Sequence, residues 1–163
     1  MCLGVSTFAH ADKHAFNDAE SAVKYRQSAL SIMRDNFAAM AAMVKGEEQY
    51  DAAVFSNRAS DFARLTHIPW DGFAVEGAMP GDDTDALPAI WDNWEDFESR
   101  ANQLITDADS LVDAAASGSM DEIKPAFMAA AKNCKGCHAQ RKLAEVGAAP
   151  HLVSVPCRPQ RNK

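Results

Sequence analysis

Apolar and small residues recur at alternating steps of three and four along four stretches of this chain, and each stretch reads as one amphipathic helix. The first spans about 18–44, with Val23, Leu30, Met33, Phe37, Met40 and Val44 on its seam and Gly46 as its stop. The second, about 47–65, places Tyr50, Val54, Arg58, Phe62 and Leu65 on a less purely apolar stripe. The third, about 89–116, is the most regular: Ile90, Trp94, Phe97, Ala101, Leu104, Ala108, Leu111 and Ala115, with Gly118 after it. The fourth, about 120–146, carries Ile123, Phe127, Ala130, Cys134, Cys137 and Arg141, with Pro125 close enough to its start to be tolerated.

Two of the three connections are short, so neighbouring helices should run antiparallel. Residues 67–88 between the second and third helices are rich in proline, glycine and acids and read as an irregular loop. The pattern predicts an all-α fold, an antiparallel four-helix bundle occupying residues 12–146 as one domain. The bias toward alanine and methionine over valine, isoleucine and threonine favours helix in the same way. Residues 147–163, with three prolines, are expected to add nothing to the core. Residues 1–11 resemble the back half of a secretory signal that ends in Ala9-His10-Ala11. The net charge of −7 argues against nucleic acid and anionic membranes as partners, and no stretch is long and apolar enough for a membrane span.

Chemistry enters with Cys134-Lys135-Gly136-Cys137-His138. Two thiols three residues apart suit addition to the two vinyl groups of one haem, and the adjacent imidazole suits its iron. Because both cysteines continue an apolar seam, such a haem would lie inside the bundle. Two rivals use the same cysteines. A zinc site could be assembled from Cys134, Cys137, His151 and Cys157, whose spacing approaches that of a small finger. A thiol oxidoreductase would instead need the pair at a helix N-terminus, where the thiol pKa falls. His10, His14, His67 and His151 show no metal-ligand spacing among themselves and read as surface residues.

With a bundle and a C-x-x-C-H in its last helix, the chain resembles cytochrome c′, a family of four-helix haem proteins of bacterial periplasms. The resemblance covers about 19–142 and extends beyond the haem motif. It includes the run 22–30 (AVKYRQSAL), Val44-Lys45-Gly46, Tyr50-Asp51-Ala52-Ala53, Pro69-Trp70 and Pro88-Ala89-Ile90-Trp91.

The resemblance implies an up-down-up-down, left-handed bundle with one covalent haem c in its core near the C-terminal helix. Cys134 and Cys137 would hold the haem, with His138 the axial iron ligand. Arg26, Gln27 and Asp85 would meet the haem edge and its propionates. Leu30, Met33, Trp70, Phe73 and Phe127 would line the pocket, and Arg141 and Lys142 would flank the proximal side. Leucine at position 30, where some relatives carry methionine, has no donor atom, so the iron should be five-coordinate and high-spin. Met33 is the one methionine near enough to challenge this, and it reads as core filler. Lys142 stands where many relatives carry arginine; it keeps the charge but loses the planar fork. The implied function is binding of NO, and of CO if access allows, with no enzymatic site. The alternative is electron transfer with a redox partner that the sequence does not name. A periplasmic location and a homodimer through the first two helices complete the expectation.

Overall fold

The computed structural model describes Phe16, residues 18–75, Ala78 and residues 84–147, with side chains through Ala139. Six helices follow one another: α1 (Ala19–Lys45), α2 (Ala52–Leu65), α3 (Asp71–Ala74), α4 (Ala89–Asp92), α5 (Trp94–Ser117) and α6 (Met120–Gly147). The four long ones, α1, α2, α5 and α6, form the bundle, up, down, up and down, and no strand element occurs among the described residues. α1 packs on α2, α2 on α5, and α5 most extensively on α6.

Local chemistry sets the helix limits. Asp18 accepts from the Ser21 N–H and Asp51 from the Val54 N–H, so each acid caps a helix whose first N–H groups lack intrahelical partners. α1 and α5 both stop where glycine takes a left-handed conformation, at Gly46 (φ 76°) and Gly118 (φ 69°). The seam of α5 is buried from Phe97 through Ala101, Leu104, Ala108, Leu111 and Ala115, the spacing expected of it. Opposite it lie Ile123, Phe127 and Ala130 of α6, Met33, Met40 and Met43 of α1, and Phe55 and Phe62 of α2. Each fully buried side chain of that size contributes about 1.5–3 kcal/mol of transfer free energy, so this layer is the main driving force of the bundle.

Three expectations change. The buried stripe of α2 is Phe55, Ala59, Phe62 and Ala63; of the expected seam Phe62 is buried and Leu65 packs against the core, as does Tyr50 just before the helix, while Val54 and Arg58 face outward and Phe55 and Ala59 take their places. The reason is steric. Alanines at 59 and 63 let α2 approach its neighbours closely, an advantage that a hydrophobicity pattern does not weigh. The third helix is not continuous: Asn93 (φ −130°, ψ 50°) separates α4 from α5. The break positions Trp91, whose indole Nε1 donates to Phe73 O (3.0 Å), joining α4 to the connection. That connection is in turn not wholly irregular, since it contains α3. Gly72 of α3 lies directly against α1; a Cβ there would stand 2.8 Å from Ala22 O and 3.0 Å from Arg26 Cβ.

Candidate functional site

A cavity of about 690 Å³ opens where α1 and α6 stand apart, its walls completed by α5 and by the segment from α3 to α4. α6 presents Cys134, Cys137 and His138 to it. The i, i+3, i+4 spacing puts all three side chains along one flank of the helix. α1 contributes Arg26, Gln27, Leu30 and Met33, and the connection contributes Trp70, Phe73 and Asp85. Residues up to about a hundred positions apart in sequence thus share one space.

Phe127 is the exception. It does not line the cavity but lies two turns before Cys134, stacked on Phe37 with ring centroids 4.4 Å apart. Seven residues of helix amount to about 10 Å, which places this ring in the core layer beneath. Met33 is 5 % exposed and belongs to the hydrophobic core while bordering the cavity, as filler would. The side chains of Arg141 and Lys142 lie outside the described residues, as do residues 1–11, His151 and Cys157.

Arg26 is the most constrained polar side chain of the site. It is 1 % exposed, and its Nη1 donates to Gly72 O (2.8 Å) and Ala78 O (2.7 Å) while Nη2 donates to Thr84 Oγ1 (3.1 Å). Its guanidinium carbon lies 4.2 Å from the Phe73 ring centroid. Burial pushes the Arg26 pKa down. Arg26 therefore ties α1 to the connection at the cavity edge, a role that the sequence did not reveal. The nearest sequence signal was its neighbourhood: Ala22 and Ala29 on the same face leave room for a buried side chain.

Two further residues were missed. Arg100 of α5 donates through Nε to Asp96 Oδ2 (2.7 Å), and this bond raises its pKa. Its Nη1 lies 3.4 Å from where a Cβ on Gly136 would be, so it packs against the C-x-x-C turn. Asn133 donates to Arg100 O and Asp107 Oδ2, both at 3.3 Å, and thereby fixes the turn preceding Cys134 against α5. Asp96 and Arg100 form an i, i+4 pair that was legible in sequence; the turn it would pack against was not.

The two rival uses of the cysteines meet physical objections. Cys134 lies about four turns into α6, far from the positive end of the helix. Burial pushes both thiols up, only partly opposed at Cys137 by the charge of Arg100. An activated redox thiol needs the reverse. A zinc finger presents its first cysteine pair on a tight turn, whereas these two continue a regular helix. Among the described residues no three His, Cys, Asp or Glu side chains converge as a metal cage.

Haem fits what is present. The volume lies in the range of about 300–1,000 Å³ usual for ligand sites, and the walls are mainly aromatic and aliphatic. Two thiols whose burial favours the protonated form adjoin the histidine imidazole of His138 among the described lining residues. The family model described as Cytochrome C′ matches residues 21–142, about three quarters of the chain. The chain belongs to the cytochrome c′ family. It is accordingly a haem protein. Cytochrome c′ of Halomonas halodenitrificans is 41 % identical over 126 residues, spanning 74 % of this chain and 95 % of that one. The structure of cytochrome c prime from Shewanella frigidimarina is 43 % identical and superposes with a TM-score of 0.73, covering 76 % of this chain and 95 % of that one. A ferrous variant of cytochrome c prime from Alcaligenes xylosoxidans with bound NO is 35 % identical, with a TM-score of 0.70 over 77 % of this chain and 95 % of that one. Among the described residues of this cytochrome c′ no helix is long and apolar enough to cross a membrane.

Proposed function

We propose that this cytochrome c′ is a periplasmic protein that carries one covalent haem and binds small diatomic gases, NO first, for sequestration or protection. Cys134 and Cys137 would hold the haem through thioether bonds, and His138 would supply an imidazole to its iron. A haem held there would supply an iron centre able to bind a neutral diatomic ligand. A periplasmic location accords with this reading, because bacterial attachment of haem to C-x-x-C-H takes place outside the cytoplasm.

The observation that carries the reading is the α1 wall. Cys134, Cys137 and His138 come from α6, while α1 meets the same cavity with Leu30 and, one turn further, the core residue Met33. Leu30 has no lone pair to offer and so would not compete for the iron of a haem held by Cys134, Cys137 and His138. Its branched apolar side chain disfavours water and anions there, which lose hydrogen bonds on entry, and yields to a small neutral molecule. Asn133, Arg100 and Asp96 hold the C-x-x-C turn against α5, so the attachment side is rigid. The protein is read as a binder rather than an enzyme, as the resemblance to cytochrome c′ implies.

The bound structure of the Alcaligenes xylosoxidans relative supports NO as ligand. Homodimerisation through α1 and α2 accords with the exposure of Tyr25, Ile32 and Val54 on those helices. Absorption spectra of the oxidised, reduced and NO-treated protein test the proposal together. A covalent haem with a high-spin ferrous spectrum that changes on adding NO is the expected result. A low-spin spectrum with a methionine–iron band would instead assign electron transfer, with Met33 as the sixth ligand.

A further inference from the structure

Positive charge is unevenly partnered on this acidic chain. Outside α6, every described lysine and arginine has a partner within the protein. Lys24 pairs with Glu20, Arg34 with Asp35, Lys45 with Glu47, Arg64 with Asp61 and Arg100 with Asp96. Arg58 donates to Asn36 Oδ1, and Arg26 to the oxygens named above. On α6 the situation reverses. Lys124, Lys132 and Lys135 are exposed and make no ion pair or hydrogen bond with any described residue.

Their placement is specific. At about 100° per residue, Lys124, Met128, Lys132 and Lys135 fall within an arc of about 80° along about 16 Å of helix. No acid interrupts α6 from Lys124 to Ala139, and Met128, in the middle of the stripe, is 59 % exposed. The stripe ends on the turn that carries the attachment residues, since Lys135 stands between Cys134 and Cys137. Three unneutralised ammonium groups around one exposed thioether thus form a basic surface with an apolar centre on the outer face of α6, away from the residues that line the cavity, on a chain of net charge −7.

Resting on the haem reading above, we propose that this face of α6 is the docking surface for an acidic electron-donor protein that keeps the iron ferrous. The step is a one-electron exchange: the donor loses one electron and the iron passes from ferric to ferrous, with no bond made or broken. Charge complementarity selects the occupant. Net charges of like sign repel at distance, and only a local basic stripe can orient an acidic donor toward the attachment turn. Met128 supplies the desolvated contact at the centre of such an interface.

Haem content and the NO-treated spectrum are established first, so a colourless or unresponsive protein is recognised as a failure of the haem reading and not of this one. The ferric holoprotein is then mixed with reduced flavodoxin, an acidic one-electron flavoprotein, and the second-order rate is followed from about 10 mM to about 500 mM salt. The rate falls with salt if the stripe governs the encounter, and rises if the net charges do. Reversing charge in Lys124→Glu/Lys132→Glu, which leaves the C-x-x-C-H turn untouched, lowers the low-salt rate by about tenfold or more and flattens or inverts its salt dependence. The rate with dithionite and the NO-treated spectrum stay unchanged, as expected of exposed side chains. A wild-type rate that rises with salt, or a double variant as fast as wild type, would overturn the proposal. So would a salt-sensitive self-association lost in the variant, which would assign the stripe to a second copy of this chain.

Discussion

Replacing Arg26 by methionine isolates the clasp at the cavity edge. Methionine keeps most of the unbranched stem against Phe73 but removes every donor. Two carbonyls, Gly72 O and Ala78 O, then lose partners at 2.8 and 2.7 Å in buried surroundings. Each buried acceptor left unsatisfied costs about 1–3 kcal/mol. Thr84 Oγ1, half-buried at 3.1 Å, turns to water and adds little. Against this, the buried guanidinium no longer has to be desolvated, which recovers part of the loss. The net destabilisation is about 2–4 kcal/mol. Urea unfolding of the holoprotein measures it. With a slope of about 2 kcal/mol per molar, the midpoint falls by about 1–2 M. Arg26→Lys keeps the charge but cannot span two carbonyls with a planar fork, so it falls between the two. A methionine variant within about 0.5 kcal/mol of wild type would refute the reasoning, because the carbonyls would then have found other partners.

Gly72→Ala tests the approach of α3 to α1: a Cβ 2.8 Å from Ala22 O forces the backbones apart and costs about 1–3 kcal/mol in the same urea assay. Leu30→Met places a thioether on the α1 wall, and the expected outcome is a ferrous spectrum shifted to low spin with NO affinity reduced by about tenfold or more; an unchanged high-spin spectrum would show that this wall does not face the iron. The Asp18 carboxyl is held below its ordinary value by the Ser21 N–H, so its charge stabilises the fold above the unfolded pKa, and that contribution is lost as pH falls through the lowered folded value. Asp18→Asn retains a cap without the titration; comparing melting temperatures across the acid range, the advantage of wild type over the variant at neutral pH should shrink as the solution becomes acidic, and a difference that persists at the lowest pH counts against the assignment.

The sequence by itself determined the four long helices, the α5 seam and the C-x-x-C-H run on the last helix. These are local signals: a period near 3.6, glycine stops, and a C-x-x-C-H spacing that one helix turn brings to one flank. It placed Val54 and Arg58 on the α2 stripe where Phe55 and Ala59 are buried, because a hydrophobicity pattern does not weigh how closely an alanine lets two helices approach. It read α4 and α5 as one helix, since Asn93 carries no breaker signature, and the break is held by contacts such as the Trp91–Phe73 hydrogen bond from a distant segment. Arg26 shows the same limit most plainly. In sequence it is a charge on a helix, and only the tertiary structure surrounds it with two carbonyls, a hydroxyl and an aromatic ring. Equally, the motif named a cofactor but not its surroundings: that Leu30 and Met33 line the pocket was implied by the family resemblance, and the fold brings them to one cavity with Cys134, Cys137 and His138. A helix period reports which residues face inward; what they face depends on how four helices pack, and that is a property of contacts between segments far apart in the chain.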